Sequence, residues 1–123
     1  MALIAQTDVS GAIGSVKLVW TEGFSEGAAG TLVYQPNELQ FLVLRNVDAA
    51  APTTVTIKGA LAPAVYAVPG TGQTIDLSAG FAVTIPFGES RHVCLRQIQR
   101  YLVGDITVTA SGDPSNVDAA LFI

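Results

Sequence analysis

Apolar and polar residues alternate along several short segments of this chain. In residues 53–58, Thr alternates with Val and Ile, and residues 106–109 repeat the pattern. Strict alternation is typical of a β-strand with one buried face. Threonine suits the other face, because its branched Cβ fits the pleat while its hydroxyl tolerates water. Apolar and β-branched residues predict further strands at residues 32–34, 39–47, 81–85 and 117–123.

Glycine and proline separate these strand-like segments, as at residues 69–72 and 111–114. Short strands with turn signals at this spacing predict an all-β fold, an antiparallel β sandwich or jelly roll with at most one short helix. The length of 123 residues fits a single β domain spanning 1–123, and residues 1–15 are candidates for an N-terminal arm.

Two features predict the core. The segment at residues 39–44 carries apolar residues on both faces, which is expected for a central strand that lies between two layers. Trp20 follows Val16 and Leu18 at alternate positions, so all three side chains are expected on one face. This spacing favours a core tryptophan over a platform for stacking sugars.

One segment departs from the β pattern. In residues 91–102, the apolar Leu95, Ile98 and Leu102 are spaced as on one face of a helix. The pattern predicts a short amphipathic helix or helical turn that begins after Ser90 as its N-cap. An extended conformation remains the alternative, because the segment is short.

Charge is scarce and unevenly placed. Only 13% of the residues are charged and 50% are hydrophobic, whereas soluble domains have about 25% charged residues. A small chain with so little charge is expected to bury part of its surface against other protein chains, and most simply as a homo-oligomer. The net charge of −4 disfavours nucleic acid and anionic membrane surfaces as partners.

Half of the basic side chains lie in one short segment, at Arg91, Arg96 and Arg100, with no carboxylate between Glu89 and Asp105. One interpretation is a solvated face that pairs with the acidic loops of the same chain. The other is an interface toward an acidic partner or a neighbouring subunit. In an α-helix, Arg96 and Arg100 would lie side by side. We therefore take these three arginines as the candidate interface residues.

The residue types that carry catalysis are few. Cys94 is the only cysteine and His92 the only histidine, and neither has a recognisable catalytic partner in the sequence. We expect no enzyme activity, no cofactor and no metal site. Asp113, Asn116 and Asp118 are oxygen donors close in sequence, but their spacing is not that of a calcium loop, and an Asx-type turn is the simpler explanation.

The order of segments carries a further signal. The chain opens with Met1-Ala2-Leu3 and later has an apolar strand at residues 40–46, a turn of small residues at 48–51 and a threonine-alternating strand at 53–57. A segment ending in a Ser-Ala-Gly turn follows at residues 75–80, then a strand ending in Pro-Phe at 84–87 and two closing strands at 104–109 and 117–123. This order resembles that of small all-β virion proteins of tailed bacteriophages, the head decoration or cement proteins. The resemblance covers residues 39–123; the basic segment around residues 91–100 departs from it.

The resemblance implies a structural protein that binds the outer capsid surface of the virion, commonly as a trimer, and clamps neighbouring major capsid proteins. Such a protein is made in the host cytoplasm and has no catalytic residues. Two other classes remain as alternatives. One is a receptor- or carbohydrate-binding module of a phage fibre, which exposed aromatics around Trp20, Tyr34 and Tyr66 would favour. The other is a tail or connector protein, which six-fold rings would favour.

Overall fold

Most of the described chain is β-strand, as the alternating segments predict. The computed structural model describes residues 2–4, 6–7, 29–48, 50–111 and 117–123, so the predictions for Trp20, Asp113 and Asn116 lie outside the described residues. The described part contains eleven strands and one short 3-10 helix: β1 Ala2–Leu3, β2 Gln6–Thr7, β3 Ala29–Leu32, β4 Phe41–Asn46, β5 Thr53–Gly59, β6 Val65–Ala67, β7 Thr74–Asp76, β8 Phe81–Ile85, β9 Ser90–Cys94, the helix Leu95–Tyr101, β10 Ile106–Ala110 and β11 Val117–Phe122.

Two sheets pack together as the predicted β sandwich. The five-stranded sheet has the order β1-β3-β10-β5-β8, and the four-stranded sheet has the order β2-β11-β4-β9. The longer strands pair antiparallel, and only the two-residue strands β1 and β2 pair parallel with their neighbours. Of the expected N-terminal arm at residues 1–15, the structure describes residues 2–4 and 6–7, which include β1 and β2. Consecutive strands lie in different main sheets after β1, β2, β3, β4, β8, β9 and β10.

The alternating segments place their apolar residues between the sheets. On β5, Val55 and Ile57 are fully buried, while Thr54, Thr56 and Lys58 face outward. Strand β10 repeats this arrangement, with Ile106 and Val108 inside. The core is completed mainly by the four-stranded sheet and the helix, through Leu42, Leu44, Val93, Leu95, Ile98, Leu102, Val117, Ala119 and Leu121.

The apolar segment at residues 39–44 is only partly what the sequence predicts. Strand β4 is internal to its sheet, between β11 and β9, and its Leu42 and Leu44 are fully buried. The expectation of a second covering layer is wrong for its other face, because Phe41 and Val43 are partly exposed. Hydrogen bonding within the sheet buries the strand backbone, but it does not bury both rows of side chains.

Two buried amide side chains lie at the two ends of β4. Gln40 accepts a hydrogen bond from the Gln35 backbone N–H at 2.7 Å and donates to the Val33 carbonyl and to Gln6 Oε1. It is fully buried, and its own carbonyl accepts from the Leu95 N–H. One side chain thus ties the strand start to β2 and to the bend after β3.

Asn46 makes the corresponding contacts at the other end. Its Nδ2 donates to the carbonyls of Ala51 and Ile85, each at 3.0 Å, and its Oδ1 accepts from the Asp48 N–H. The Asn46 backbone exchanges hydrogen bonds with Glu89 and Gly88 in the β8–β9 turn. The β4–β5 and β8–β9 crossings between the sheets therefore converge on one buried residue, in agreement with the rule that buried polar groups are paired.

The predicted helix at residues 91–102 is shorter and begins later than expected. Residues 90–94 form strand β9, and the 3-10 helix runs from Leu95 to Tyr101. The N-cap is therefore Cys94 rather than Ser90, without a side-chain capping bond. Pairing of β9 with β4 satisfies the backbone of residues 90–94, which outweighs a weak helical preference there. The apolar spacing nevertheless identified buried residues correctly, since Leu95, Ile98 and Leu102 are all in the core.

Strands β6 and β7 form a separate hairpin outside the two main sheets. The Pro-Gly-Thr-Gly segment at its tip forms the predicted turn, where Gly70 and Gly72 have positive φ angles. At its base, Asp76 accepts hydrogen bonds from the backbone and the hydroxyl of Ser78, which lower the pKa of the Asp76 carboxyl.

Replacing Asn46 with Ala is expected to destabilise the fold by about 2–4 kcal/mol. The substitution leaves two carbonyls and one N–H without their partner at a fully buried position. Urea unfolding followed by circular dichroism measures the loss. Asn37→Ala, at an exposed turn position, is the matched control and should cost less than about 0.5 kcal/mol. Equal losses in the two variants would contradict the assigned role of Asn46.

Candidate protein–protein interface

The outer face of the four-stranded sheet carries an unusual row of apolar side chains. Strand registers align three cross-strand rows on this face: Phe122–Phe41–Cys94, Ala120–Val43–His92 and Asp118–Arg45–Ser90. On the predicted strand at residues 117–123, Ala120 and Asp118 are buried, while Phe122 and Ile123 remain partly exposed. The outer face is therefore apolar at one end and polar at the other.

Two aromatic rings dominate the apolar end. Phe41 and Phe122 stack with ring centroids 5.5 Å apart and planes inclined by 22°. Beside them is a shallow groove of about 460 Å³, and the described residues lining it are Phe41, Val43, Ser90, Arg91, His92 and Phe122. Aromatic and arginine side chains are enriched at the well-packed centres of protein–protein interfaces.

An ion pair between Arg45 and Asp118 lies at the polar end of the outer face. Arg45 donates from Nε and Nη2 to Oδ2 of Asp118, at 3.1 and 2.7 Å. The Asp118 side chain is only 8% exposed, so this ion pair is partly desolvated. In the sequence, Asp118 is one of three oxygen donors that lie close together. In the structure, its carboxylate pairs with the guanidinium of Arg45. Among the described residues, no group of three or more His, Cys, Asp or Glu side chains is placed to hold a metal ion.

The three candidate interface arginines occupy different surroundings. Arg91, on edge strand β9, approaches Glu89 at 3.4 Å and remains 43% exposed. Arg96, on the 3-10 helix, is exposed and has no hydrogen-bond or ion-pair partner within the described chain. Arg100 instead lies over the Tyr66 ring, with its guanidinium carbon 4.1 Å from the ring centroid. The three arginines therefore differ in their local contacts.

The expected pairing of Arg96 with Arg100 does not hold. That expectation assumed an α-helix, in which residues four apart are neighbours on one face. In a 3-10 helix with about three residues per turn, they point in different directions, and Ile98 between them has non-helical backbone angles. Sequence spacing alone could not reveal this difference, because the two helix types share the apolar i, i+3 pattern.

Four other side chains of chemical interest are His92 and Cys94 on β9, Tyr34 after β3 and Tyr66 on β6. His92 is exposed, and Cys94 is a partly exposed free thiol two residues further along β9. Tyr34 and Tyr66 do not offer open rings for stacking, because Tyr34 is partly buried against the core and Arg100 covers the ring of Tyr66. This arrangement disfavours the carbohydrate-binding alternative as far as these two tyrosines are concerned.

Phe41 and Phe122 were not among the candidate site residues that the sequence suggested. The signal for Phe41 was present, since a strand with apolar residues at consecutive positions must expose one row or have it covered. Which of the two outcomes applies depends on the arrangement of the layers. Only the structure provides that information.

Comparisons with protein-family models, with curated proteins and with solved structures find no significant match to this chain. Within the ranges that the structure describes, no helix is long and apolar enough to cross a membrane.

Replacing Arg45 with Met is expected to cost about 2 kcal/mol of unfolding free energy. The change removes two charge-assisted hydrogen bonds from a carboxylate that is largely buried. Arg91→Met is the matched control, because its pair with Glu89 is exposed on both sides and should contribute less than about 1 kcal/mol. Urea unfolding of both variants tests the difference, and a loss at Arg91 as large as that at Arg45 would contradict it.

Proposed function

We propose that this chain is a structural protein that acts by assembly, with the outer face of the four-stranded sheet as a protein–protein interface. The observation that supports it most directly is the stacked Phe41–Phe122 pair, partly exposed beside Val43 on an ordered sheet. A rigid apolar surface loses little conformational entropy on binding. In a chain with so few charged residues, it is the natural surface for another protein.

We further propose that the assembly is a homo-oligomer, a trimer, that binds the outer capsid surface of a tailed-phage virion as a decoration or cement protein. The support for this finer assignment is the order of sequence segments that resembles this group, together with the β sandwich. The acidity of the chain agrees with a position outside the capsid, because an outward-facing protein needs no affinity for packaged DNA. His92 and Cys94 have no catalytic role in this proposal.

The proposed mechanism is stabilisation of the assembled shell by a protein that binds it. A protein that binds only the assembled shell stabilises it by RT ln(1 + [L]/Kd), which is about 2.7 kcal/mol per site at a free concentration of 100 times Kd. Repeated over the many equivalent sites of a symmetric shell, this modest contribution adds up to substantial resistance to internal pressure. Binding therefore requires a good surface at each site, and no chemical step.

Replacing Val43 with Asp is expected to reduce the oligomer to a monomer without unfolding it. The carboxylate would be buried beside Phe41 and Phe122 if this face is covered by a second copy. Light scattering at micromolar concentration gives the mass, and circular dichroism checks the fold. Ala82→Asp is the matched control, since Ala82 is exposed on the outer face of the other sheet. A wild-type chain that is monomeric, or a Val43→Asp oligomer of unchanged mass, would contradict this interface.

Reversing two exposed charges is expected to weaken capsid binding. Arg91→Glu combined with Arg96→Glu changes the exposed cation that lines the groove and the exposed cation near the start of the helix, while leaving the Arg100–Tyr66 contact intact. Co-sedimentation with expanded capsids of the cognate phage should show at least a tenfold loss of affinity if these cations face carboxylates at the centre of the contact, and a smaller loss at its rim.

Lys58→Glu is the control for this binding experiment, because Lys58 is an exposed cation on the other sheet. Equal binding of the wild type and the Arg91, Arg96 double variant would exclude these arginines from the interface. Failure of the wild-type chain to bind any capsid would refute the decoration role itself. Six-membered rings in electron micrographs would instead favour the tail or connector alternative.

A further inference from the structure

The β6–β7 hairpin is attached to the sandwich very differently from the other strands. Residues 65–76, which we call the arm, consist of two three-residue strands that pair only with each other, joined by a tight turn. Most arm residues are exposed, including Val65 at 54% and Ile75 at 47%. A two-stranded hairpin by itself is at best marginally stable in water. The arm therefore depends on whatever holds it to the sandwich.

Among the described residues, one pair of side chains makes all the hydrogen bonds and ring contacts between the arm and the sandwich. Arg100 stacks over the Tyr66 ring at 4.1 Å and donates from Nη2 to the Tyr66 hydroxyl at 2.9 Å. The other hydrogen bonds that the described arm residues make lie within the arm or at its base, such as Val68 N–H to the Gln73 carbonyl and Asp76 to Ser78.

Both ends of the arm are firmly fixed. Before it, the Leu61 N–H donates to the Val103 carbonyl, and a Cβ at Gly59 would lie within 2.6 Å of backbone atoms of Tyr101 and Val103. After it, Leu77 is buried, with 2% of its surface exposed. Motion is therefore confined to the residues between these two points, which is the arrangement of a hinged element.

We infer that the arm opens as a unit from the sandwich, and that the Arg100–Tyr66 contact is the latch that keeps it closed. Opening breaks one cation–π contact and one hydrogen bond, both at the protein surface, and leaves the two main sheets intact. Regions with few buried contacts open at free energies well below that of global unfolding. Opening exposes the face of the hairpin that carries Tyr66 and its cross-strand partner Ile75.

This inference does not depend on the proposed capsid role, and it gives Arg100 a different function from Arg91 and Arg96. An arginine that stacks on an aromatic ring has its guanidinium face occupied. The sequence placed all three arginines in one interface, whereas the geometry assigns Arg100 to the conformation of its own chain.

Amide hydrogen exchange of the isolated protein tests the latch. Once released, the two-stranded arm is only marginally stable, so its internal Val68 N–H to Gln73 hydrogen bond is lost on opening. Arg100→Ala is therefore expected to accelerate exchange of the Val68 amide about tenfold, the change that corresponds to losing a surface cation–π contact with its hydrogen bond. Exchange of the Ile57 amide, in the centre of the five-stranded sheet, should remain far slower than that of Val68 and should rise more steeply with urea, because it requires global unfolding. Arg96→Ala is the matched control, because Arg96 lies on the same helix without a partner in the described chain, and it should leave both amides unaffected.

Two further variants separate a specific latch from a general loss of stability. Tyr66→Leu should reproduce the effect of Arg100→Ala, and the double variant should add less than a twofold further increase, because each change removes the same contact. Additive effects would overturn the latch. Unchanged Val68 exchange in Arg100→Ala would do the same, and equal protection and equal urea dependence of Val68 and Ile57 would show global unfolding in place of arm opening.

Discussion

The rest of the structure depends on the buried amides at the two ends of strand β4. Gln40 and Asn46 are fully buried, and each satisfies backbone groups of loops that have no strand partner. A chain that passes repeatedly between two sheets must bury several loop carbonyls and N–H groups, and an unpaired one is costly. Side-chain amides supply both a donor and an acceptor, so one residue at each end meets this demand.

This anchoring determines the character of the outer face. With its ends tied by Gln40 and Asn46 and its inner side chains in the core, β4 presents Phe41 and Val43 on an inflexible surface. The Arg45–Asp118 pair holds β4 to β11 across the polar end of the same face. Rigid anchors bordered by polar groups are the features that distinguish interfaces from ordinary surface, where apolar side chains are scattered singly.

The basic residues show how local geometry divides a sequence cluster. Arg91 and Arg96 project from an edge strand and a helix, where charge also discourages pairing of the sheet edge with another chain. Arg100, only four residues beyond Arg96, turns to the hairpin and covers Tyr66. The segment therefore places its arginines in different local surroundings, although its composition suggests a single patch.

Alternation of Thr with Val and Ile was sufficient to predict β5 and β10 and the face that each buries, because the two-residue period of a strand is a local property. The all-β class and the buried Leu95, Ile98 and Leu102 followed from pattern in the same way. Three features depended on tertiary contacts between distant residues: pairing with β4 made residues 90–94 a strand, the arrangement of the layers left Phe41 partly exposed, and the hairpin brought Tyr66 to Arg100. Sequence periodicity reports which residues share a face, whereas what covers that face is decided by chain segments far away in the sequence.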